Sequence, residues 1–408
     1  MPSIWALLLP FCLISTGCVR VNTYTLPDPK DDVAVEAQEY RNFDAWLGAF
    51  RARALAEGVP PLVIETLSQQ MHYQPSIAKL DQKQPEFSKM IWSYLDSAVS
   101  DARVNQGRKC AAEQSALLQR LGQEYGVPAE VIVAIWGLET SYGVDTGNTE
   151  LFPALATLAY QGRRRAFAEN QLIALMKLMN AGDVTQNPVH GSWAGGMGQT
   201  QFIPTTYARY AVDGNYDGRR DLWSTADALA STANYLSASG WQQGVPWGCE
   251  VALPANISDN YVEQTMSMAQ WNALGVSCIT QSVPANANMS LWLPGGRNGP
   301  ALLRSDNFEV IKVYNNASSY ALAVGLLSDA IAGKPALQGQ WPREYGALAT
   351  TQVRTIQQRL SELGFDPGAV DGILGGNTRK AFREWQRSQG VFADGFISQH
   401  SAQGLLIP

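Results

Sequence analysis

A glutamate with the potential for acid–base chemistry stands at the end of an apolar stretch of the chain. Glu139 follows the run VIVAIWGL, whose large apolar side chains predict a buried helix. A carboxyl at the end of such a helix is partly desolvated, and desolvation raises its pKa towards that of a general acid at neutral pH. The alternative is a surface glutamate just beyond a buried helix, and the residue types leave both interpretations open.

A glycine-rich segment offers chemistry of a different kind. It reads GSWAGGMGQTQFIPTTY, at residues 191–207. Glycines let a backbone approach a ligand closely, and glutamine amides both donate to and accept from sugar hydroxyls. The segment lacks the Lys-Ser/Thr pair of a phosphate-binding P-loop. It therefore predicts a sugar-binding loop, with a structural turn before a helix as the alternative.

An acidic loop, DGNYDGRRDLW, has the spacing of a calcium ligand set. Several of its side chains fall at the ligand positions of an EF-hand loop: Asp213, Asn215, Asp217 and Asp221. The twelfth position holds Ser224 where an EF-hand has glutamate. The loop predicts a structural Ca²⁺ site, and the alternative is an acidic Asx-turn loop without an ion.

Composition limits the remaining chemistry. The 408 residues carry 30 Lys and Arg against 36 Asp and Glu, and this acidic balance excludes nucleic acid as a partner. With three His and five Cys, neither a His-rich metal centre nor a serine or cysteine peptidase is expected, and neither is an organic cofactor. The 46% hydrophobic content suffices for a sizeable core, and the length suggests two or three domains.

The elements that must position these residues begin after an export signal. Residues 1–17 read as a signal peptide, and the small residues before Cys18 predict a lipoprotein in which that cysteine is acylated. Ordinary secretion with cleavage nearby is the alternative. Residues 18–35 look like a tether. In an oxidising compartment Cys249 and Cys278 could pair and leave Cys110 over, or all three could be buried thiols.

Helical periodicity dominates the rest of the chain. It predicts a mainly α domain over 36–345, interrupted between 245 and 310 by a small mixed α/β insert, with Ser224 as the N-cap of one helix. A Pro- and Gly-rich stretch at 333–346 predicts a boundary. The unit 350–408 repeats a motif in which an Asp-Gly turn, at Asp371 and again at Asp394, precedes a helix. In the first copy Thr378 is the expected N-cap.

Both parts resemble known families. The last unit is similar to the three-helix peptidoglycan-binding module, through VRTIQQRLSELGF, VDGILGGNTRKAFREWQRSQG and ADGFIS. The preceding domain resembles the B-type membrane-bound lytic murein transglycosylases, through VPAEVIVAIWGLETSYG, RRRAF, GSWAGGMGQTQFIPTTY, AVDGNYDGRRDLWSTADALASTANYL and KVYNNASSYALAV. The resemblance implies a lysozyme-like catalytic domain. Such enzymes cut the β-1,4 bond between N-acetylmuramic acid and N-acetylglucosamine without water, leaving a 1,6-anhydro sugar.

The resemblance also assigns roles to residues. Glu139 matches the family's one catalytic acid and base. Other positions match substrate-binding residues: Tyr94, Arg164, Arg165, Ser192, Gln201, Tyr314, Asn315 and Tyr320. The arginine pair would meet the lactyl or peptide carboxylates. In the acidic loop the family uses an aspartate three residues beyond the twelfth position, here Asp227, together with the backbone carbonyl of Arg219.

The resemblance predicts an exported enzyme. Its expected partners are peptidoglycan glycan strands, the membrane through the lipid anchor, and other cell-wall enzymes, and its expected location is the periplasmic face of the outer membrane. Two rival functions stay open. One is a hydrolytic lysozyme or chitinase of the same fold, and the other is a non-catalytic cell-wall-binding scaffold.

Overall fold

Apolar side chains recur at helical spacing through residues 43–238, and this part of the chain forms helices. The structure, a computed structural model, describes residues 40–82, 90–161 and 164–407. The helices of this part are α1 Phe43–Ala56, α2 Pro61–Ser68, α3 Pro75–Gln82, α4 Ile91–Ala98, α5 Asp101–Glu113, α6 Ser115–Tyr125, α7 Ala129–Thr140, α8 Leu151–Tyr160, α9 Arg165–Ala181, α10 Pro204–Tyr210 and α11 Thr225–Ala238. Two short strands, β1 Thr149–Glu150 and β2 His190–Gly191, pair antiparallel.

The helices enclose two neighbouring apolar cores. One is built on α7, whose residues from Val131 to Gly137 are all buried. The other is built on α8 and α9, with Trp46 and Phe50 of α1 packed against them. Because this stretch of α7 is apolar on every side, it has no face for solvent and lies at the centre of its core. The last turn of α7 carries Glu139.

Gly, Pro and Asn break the helical pattern after residue 245, and the chain forms a small five-stranded sheet. Its strands are β3 Gly248–Ala252, β4 Thr265–Ser267, β5 Ser277–Cys278, β6 Asn288–Trp292 and β7 Leu302–Ser305. Their order is β4-β6-β7-β3-β5, and every neighbouring pair is antiparallel. Helix α12, Met268–Ala273, packs Trp271 into the core of this insert.

The cysteines of the insert form one of the two arrangements that the sequence left open. Cys249 in β3 and Cys278 in β5 form a disulfide. Cys110, in α5, is a free and buried thiol. The disulfide therefore links β5, the two-residue strand at one edge of the sheet, to its neighbour β3.

Two further helices return the chain to the core around α7. Strand β7 leads directly into α13, Asp306–Lys312, and α14 follows at Ser318–Ile331. Helix α14 packs against α7 and is buried along most of its length. This packing places the residues at the beginning of α14 beside the end of α7.

The C-terminal unit has its own core and contains α15 Thr350–Glu362, α16 Gly376–Ser388 and α17 Gln403–Leu406. The expectation that Thr378 caps α16 is wrong. The helix begins two residues earlier, and the Thr378 hydroxyl is buried, where it accepts from Gln357 Nε2 at 3.2 Å and donates to the Pro367 carbonyl at 3.2 Å. Ser224 does occupy the N-cap position of α11.

The mainly α, lysozyme-like architecture with a small mixed insert and a helical C-terminal domain is therefore confirmed. Within the described ranges, no helix has both the length and the apolar character that crossing a membrane requires. The predicted signal peptide, the tether and Cys18 lie outside the described residues.

Candidate active site

Glu139 lies in the last turn of α7, where the buried part of the helix ends and the side chain is partly exposed. Its carboxylate Oε1 accepts a hydrogen bond from the Tyr320 hydroxyl at 2.5 Å. Burial raises the pKa of Glu139 from 4.5 to about 7, and the hydrogen bond from Tyr320 opposes part of that rise. Glu139 is therefore poised to hold a proton near neutral pH and to release it during a reaction.

Tyrosines from the α13–α14 region surround this carboxyl. Tyr320, in the first turn of α14, is 5% exposed. The Tyr314 hydroxyl donates to the Thr200 carbonyl at 2.8 Å and lies 3.3 Å from Thr232 Oγ1. Burial and the nearby Glu139 charge raise the pKa of both phenols well above 10, so both stay neutral donors. Asn315 is exposed in the same turn.

The turn after Glu139 has an unusual backbone conformation. Ser141 and Tyr142 both have positive φ angles, 51° and 64°, which residues other than glycine seldom adopt. Tyr142 is held there because its hydroxyl donates to the Arg103 carbonyl at 2.6 Å and its ring meets Trp136 edge-on. This packing ends α7 sharply, directly after the turn that carries Glu139.

The glycine-rich loop is fastened to the same turn. Thr140, next to Glu139, donates from its hydroxyl to the Gln199 carbonyl at 2.5 Å and accepts from the Gly143 amide at 2.9 Å. The Gln199 amide in turn donates to the Trp223 carbonyl at 2.7 Å. The loop and helix α7 therefore form one hydrogen-bonded frame.

Ser192 and Gln201 meet within this loop across one glycine. Ser192 Oγ accepts from the Gly196 amide at 2.9 Å, and Gln201 Nε2 donates to the Thr146 and Gly198 carbonyls at 3.0 Å each. A Cβ added at Gly196 would lie 2.7 Å from Gln201 Oε1 and 2.9 Å from Ser192 Oγ. The close approach of the two polar side chains therefore requires glycine between them.

The remaining predicted substrate residues fall into two groups. Tyr94 is half-buried on α4, which packs against α14, and it borders the core that contains Tyr320 and raises the pKa of that phenol, so it belongs to the Glu139 neighbourhood. Arg164 and Arg165 lie at the beginning of α9, in the other half of the domain. Arg164 stacks over Phe167 at 4.3 Å, and Arg165 donates from Nε to the Ala159 carbonyl at 3.3 Å.

The acidic loop brings its carboxylates together. Oxygens of Asp213, Asp217 and Asp227 all lie within 4.8 Å of one another. Asp227 is fully buried, and it accepts from the Gly214 amide at 2.8 Å and from the Asn215 amide at 3.2 Å. Burial raises the pKa of Asp227, and these amides oppose the rise.

Other residues of the site have roles that the sequence does not reveal, although Gln199 and Thr200 lie within the glycine-rich segment. Thr200 and Thr232 position the Tyr314 phenol, and Gln199 joins the loop to α7. Their contacts span up to 114 residues of chain and depend on tertiary packing. Tyr142 is the exception, since a large aromatic residue directly after a predicted helix end indicates a packed stop.

Comparisons with known proteins bear on both parts of the chain. The model of the transglycosylase SLT domain family matches residues 42–329, and that of a peptidoglycan binding domain family matches residues 350–399. The membrane-bound lytic murein transglycosylase B of Escherichia coli is 37% identical over 53% of this chain. The chain spans 60% of that relative's length.

Solved structures match more of the chain. SltB3 of Pseudomonas aeruginosa, in complex with NAG-anhNAM-pentapeptide, is 44% identical and superposes with a TM-score of 0.85, covering 90% of this chain and 100% of its own. Lytic transglycosylase Slt35 of Escherichia coli, in complex with calcium, is 30% identical with a TM-score of 0.62. The match covers 75% of this chain and 98% of Slt35.

Proposed function

Because this chain belongs to the transglycosylase SLT domain family of lytic transglycosylases, we propose that it cleaves peptidoglycan between N-acetylmuramic acid and N-acetylglucosamine and forms a 1,6-anhydro product. The observation that carries this proposal is the carboxyl of Glu139, whose pKa is about 7. Within the described part of the chain, only burial and Tyr320 contribute to that shift, and no second carboxylate does. Ordinary glycosidases need two carboxyls.

One carboxyl suffices when the substrate supplies the nucleophile. Protonated Glu139 donates its proton to the glycosidic oxygen as the C1–O4 bond breaks and N-acetylglucosamine leaves. The resulting Glu139 carboxylate takes the proton from the C6 hydroxyl of the muramyl residue, whose oxygen bonds to C1. Proton and atoms balance, and no water is consumed. Intramolecular attack has a high effective molarity, so no enzyme nucleophile is required.

The surrounding side chains suit this sequence of steps. The Tyr320 hydroxyl at 2.5 Å stabilises the carboxylate form that follows the first proton transfer. In the proposed mechanism Tyr314 and Asn315 orient the N-acetyl group, whose carbonyl can stabilise the positive anomeric carbon. The other predicted contacts to the glycan are Tyr94, Ser192 and Gln201, and the predicted contacts to lactyl or peptide carboxylates are Arg164 and Arg165.

The products separate this proposal from its rivals. Mass spectrometry of muropeptides released from purified murein is expected to find anhydro ends, which are lighter than hydrolysed ends by one water. Reducing ends would indicate a hydrolase of the lysozyme or chitinase type, and no release at all would indicate a binding scaffold. Glu139→Gln is expected to abolish release, whereas Glu113→Gln, on the solvent-exposed end of α5, is expected to keep it.

A structural Ca²⁺ ion in the acidic loop is the second proposal. The donor set fits a hard cation, because it consists of carboxylate, amide and carbonyl oxygens: Asp213, Asn215, Asp217, Asp227 and the backbone carbonyl of Arg219. A relative of this fold, Slt35, is described in complex with calcium. The ion would join the loop to the beginning of α11.

Chelation tests the ion site. EDTA is expected to lower the melting temperature of the wild-type protein, and excess Ca²⁺ is expected to restore it. Asp217→Asn removes one exposed ligand charge and is expected to raise the Ca²⁺ concentration needed for that restoration. A melting temperature that neither treatment changes would contradict the proposal.

Export and wall attachment complete the proposed function. The predicted lipid on Cys18 would hold the enzyme at the outer membrane facing the periplasm, and the C-terminal unit would bind glycan strands. Metabolic labelling with a radioactive fatty acid tests the anchor. The wild-type protein is expected to be labelled and to sediment with membranes, whereas Cys18→Ser is expected to do neither. A labelled Cys18→Ser protein would refute the assignment.

A further inference from the structure

The two Asp-Gly turns of the C-terminal unit are built alike. In the first, Gln357 Nε2 donates to Asp371 Oδ1 at 2.9 Å, and Gln357 Oε1 accepts from the Gly372 amide at 2.8 Å. In the second, Gln386 makes the same two bonds, to Asp394 Oδ1 at 2.9 Å and from the Gly395 amide at 2.8 Å. The same motif therefore gives the same local structure twice.

The residues that follow the two turns differ in burial. Ile373, after the first turn, is 38% exposed, whereas Phe396, at the same place after the second, is 6% exposed. Phe396 is not a member of the apolar core of the C-terminal unit. Its ring neighbours are Tyr345 of the linker and Trp92 of α4, each with a ring centroid 6.2 Å away. Phe396 is therefore buried against the catalytic domain and the linker.

Further contacts hold the second turn in that place. Asp394 Oδ2 accepts from the Arg297 amide of the insert at 3.0 Å. The linker contributes Trp341, whose ring centroid lies 5.9 Å from that of Trp92. Arg343 donates to both carboxylate oxygens of Asp96 at 2.8 and 2.7 Å. Such a bidentate pair fixes orientation as well as distance.

Helix α4 receives these contacts on one side and faces the catalytic site with the other. Trp92 and Asp96, four residues apart, form the stripe that meets the linker and the C-terminal unit. Leu95 and Ala98 are buried in the core around α7, and Tyr94 packs against that core as well. The helix is thus held between the C-terminal unit and the catalytic core.

We propose that the second Asp-Gly turn is a docking element and that Phe396, through Trp92, holds α4 so that Tyr94 stays beside Tyr320 at the catalytic carboxyl. Phe396 and Trp92 are positioning residues, since neither touches Glu139. The C-terminal unit then acts on the catalytic rate itself, in addition to binding the wall. This inference rests on the proposed lytic activity and assigns part of its control to an interdomain contact.

The test uses the full chain and a soluble tetrasaccharide of alternating N-acetylglucosamine and peptide-bearing N-acetylmuramic acid. The titratable groups around Glu139 are the phenols of Tyr320 and Tyr314, with Tyr94 next to Tyr320. Phe396→Ala is expected to lower kcat at least about tenfold, since misplacement by about 1 Å can cost about a hundredfold. Water entering beside α4 should also lower the pKa of Glu139, and the alkaline limb of the pH profile should move to lower pH.

Matched variants make the outcome decisive. Ile373→Ala, at the equivalent position of the first turn, is expected to keep the wild-type kcat and pH profile. Phe396→Trp, which keeps an aromatic ring, is expected to keep most of the kcat that Phe396→Ala loses. Asp96→Arg and Arg343→Asp should each lower activity, and the double variant, which exchanges the two charges, should recover it. This second test applies even if the Phe396→Ala protein does not fold. Wild-type kcat and pH profile in Phe396→Ala, or no recovery in the exchange, would overturn the inference. Failure of the proposed function would instead appear as an inactive wild type.

Discussion

Replacing Glu139 by Gln is expected to make the folded protein more stable while it abolishes cleavage. The reason is the raised pKa of the carboxyl, from 4.5 in an exposed glutamate to about 7 in the folded protein. The folded state binds this proton more tightly than the unfolded state does. The free energy of unfolding therefore falls as the pH rises from the unfolded value through about 7, and it stays low above that pH.

The pKa values set the size of the effect. Each pKa unit corresponds to about 1.4 kcal/mol, so the difference between 4.5 and about 7 is equivalent to about 3 kcal/mol of lost stability once Glu139 is ionised. A glutamine is neutral at every pH, fills the same volume and can still accept from the Tyr320 hydroxyl. The gain from Glu139→Gln is thus expected at pH 8 and is expected to be nearly absent at pH 4.

Urea unfolding at the two pH values measures this difference. Wild type and Glu139→Gln are compared at pH 4 and pH 8 by the fluorescence of the chain's 12 tryptophans, one of which, Trp136, lies in the same helix as Glu139. Glu113→Gln is the control, because its carboxyl is 56% exposed at the end of α5. A Glu139→Gln protein that is no more stable than wild type at pH 8, or equally stabilised at pH 4, would refute the electrostatic account of the site.

Further variants test other parts of the structure. Tyr320→Phe removes the hydrogen bond that stabilises the ionised form of Glu139, so the alkaline limb of the kcat/KM profile should move up by about one to two pH units; no movement would contradict the contact. Gly196→Ala places a Cβ 2.7 Å from Gln201 Oε1 and should cost about 1–3 kcal/mol of stability in urea together with much of the cleavage rate. Glu250 is 3% exposed, and its carboxylate accepts from the backbone N–H of Gln338 at 2.7 Å. Glu250→Gln can point a side-chain NH₂ at that N–H, so it should destabilise the protein by about 1–3 kcal/mol. An unchanged unfolding midpoint would refute this prediction.

The sequence predicts the parts of the site that depend on local pattern. The apolar run before Glu139 predicts a buried helix, which the structure shows, and of the two interpretations of its terminal carboxyl the raised pKa favours the desolvated one. The glycine-rich segment predicts close approach of the backbone to a ligand, and the structure shows Gly196 in close contact with two side chains of its own loop, so the ligand contact stays a prediction. Periodicity and glycine spacing are properties of neighbouring residues, so they can be read from a short stretch of chain.

Contacts between distant segments could not be predicted in this way. The bond from Tyr142 to the Arg103 carbonyl, which helps to hold the turn after Glu139, joins residues 39 positions apart. The Tyr314 phenol depends on Thr200, 114 positions away. Neither partner shows a pattern that distinguishes it from other polar residues. Their roles arise only once α7, α11 and α14 have packed together.

The repeated Asp-Gly turn shows where local prediction ends. Both copies have the same sequence pattern and the same glutamine hydrogen bonds, yet one presents an exposed Ile373 and the other buries Phe396 against α4. The second turn lies against Trp92, Tyr345 and Arg297, and its aromatic ring offers a flat apolar surface to Trp92 that isoleucine does not. Two copies of a motif with the same local hydrogen bonds can therefore differ in what they contact: one faces solvent, and the other packs against another part of the chain. Which surface each copy meets depends on the residue just beyond the motif and on the partner that the rest of the chain supplies.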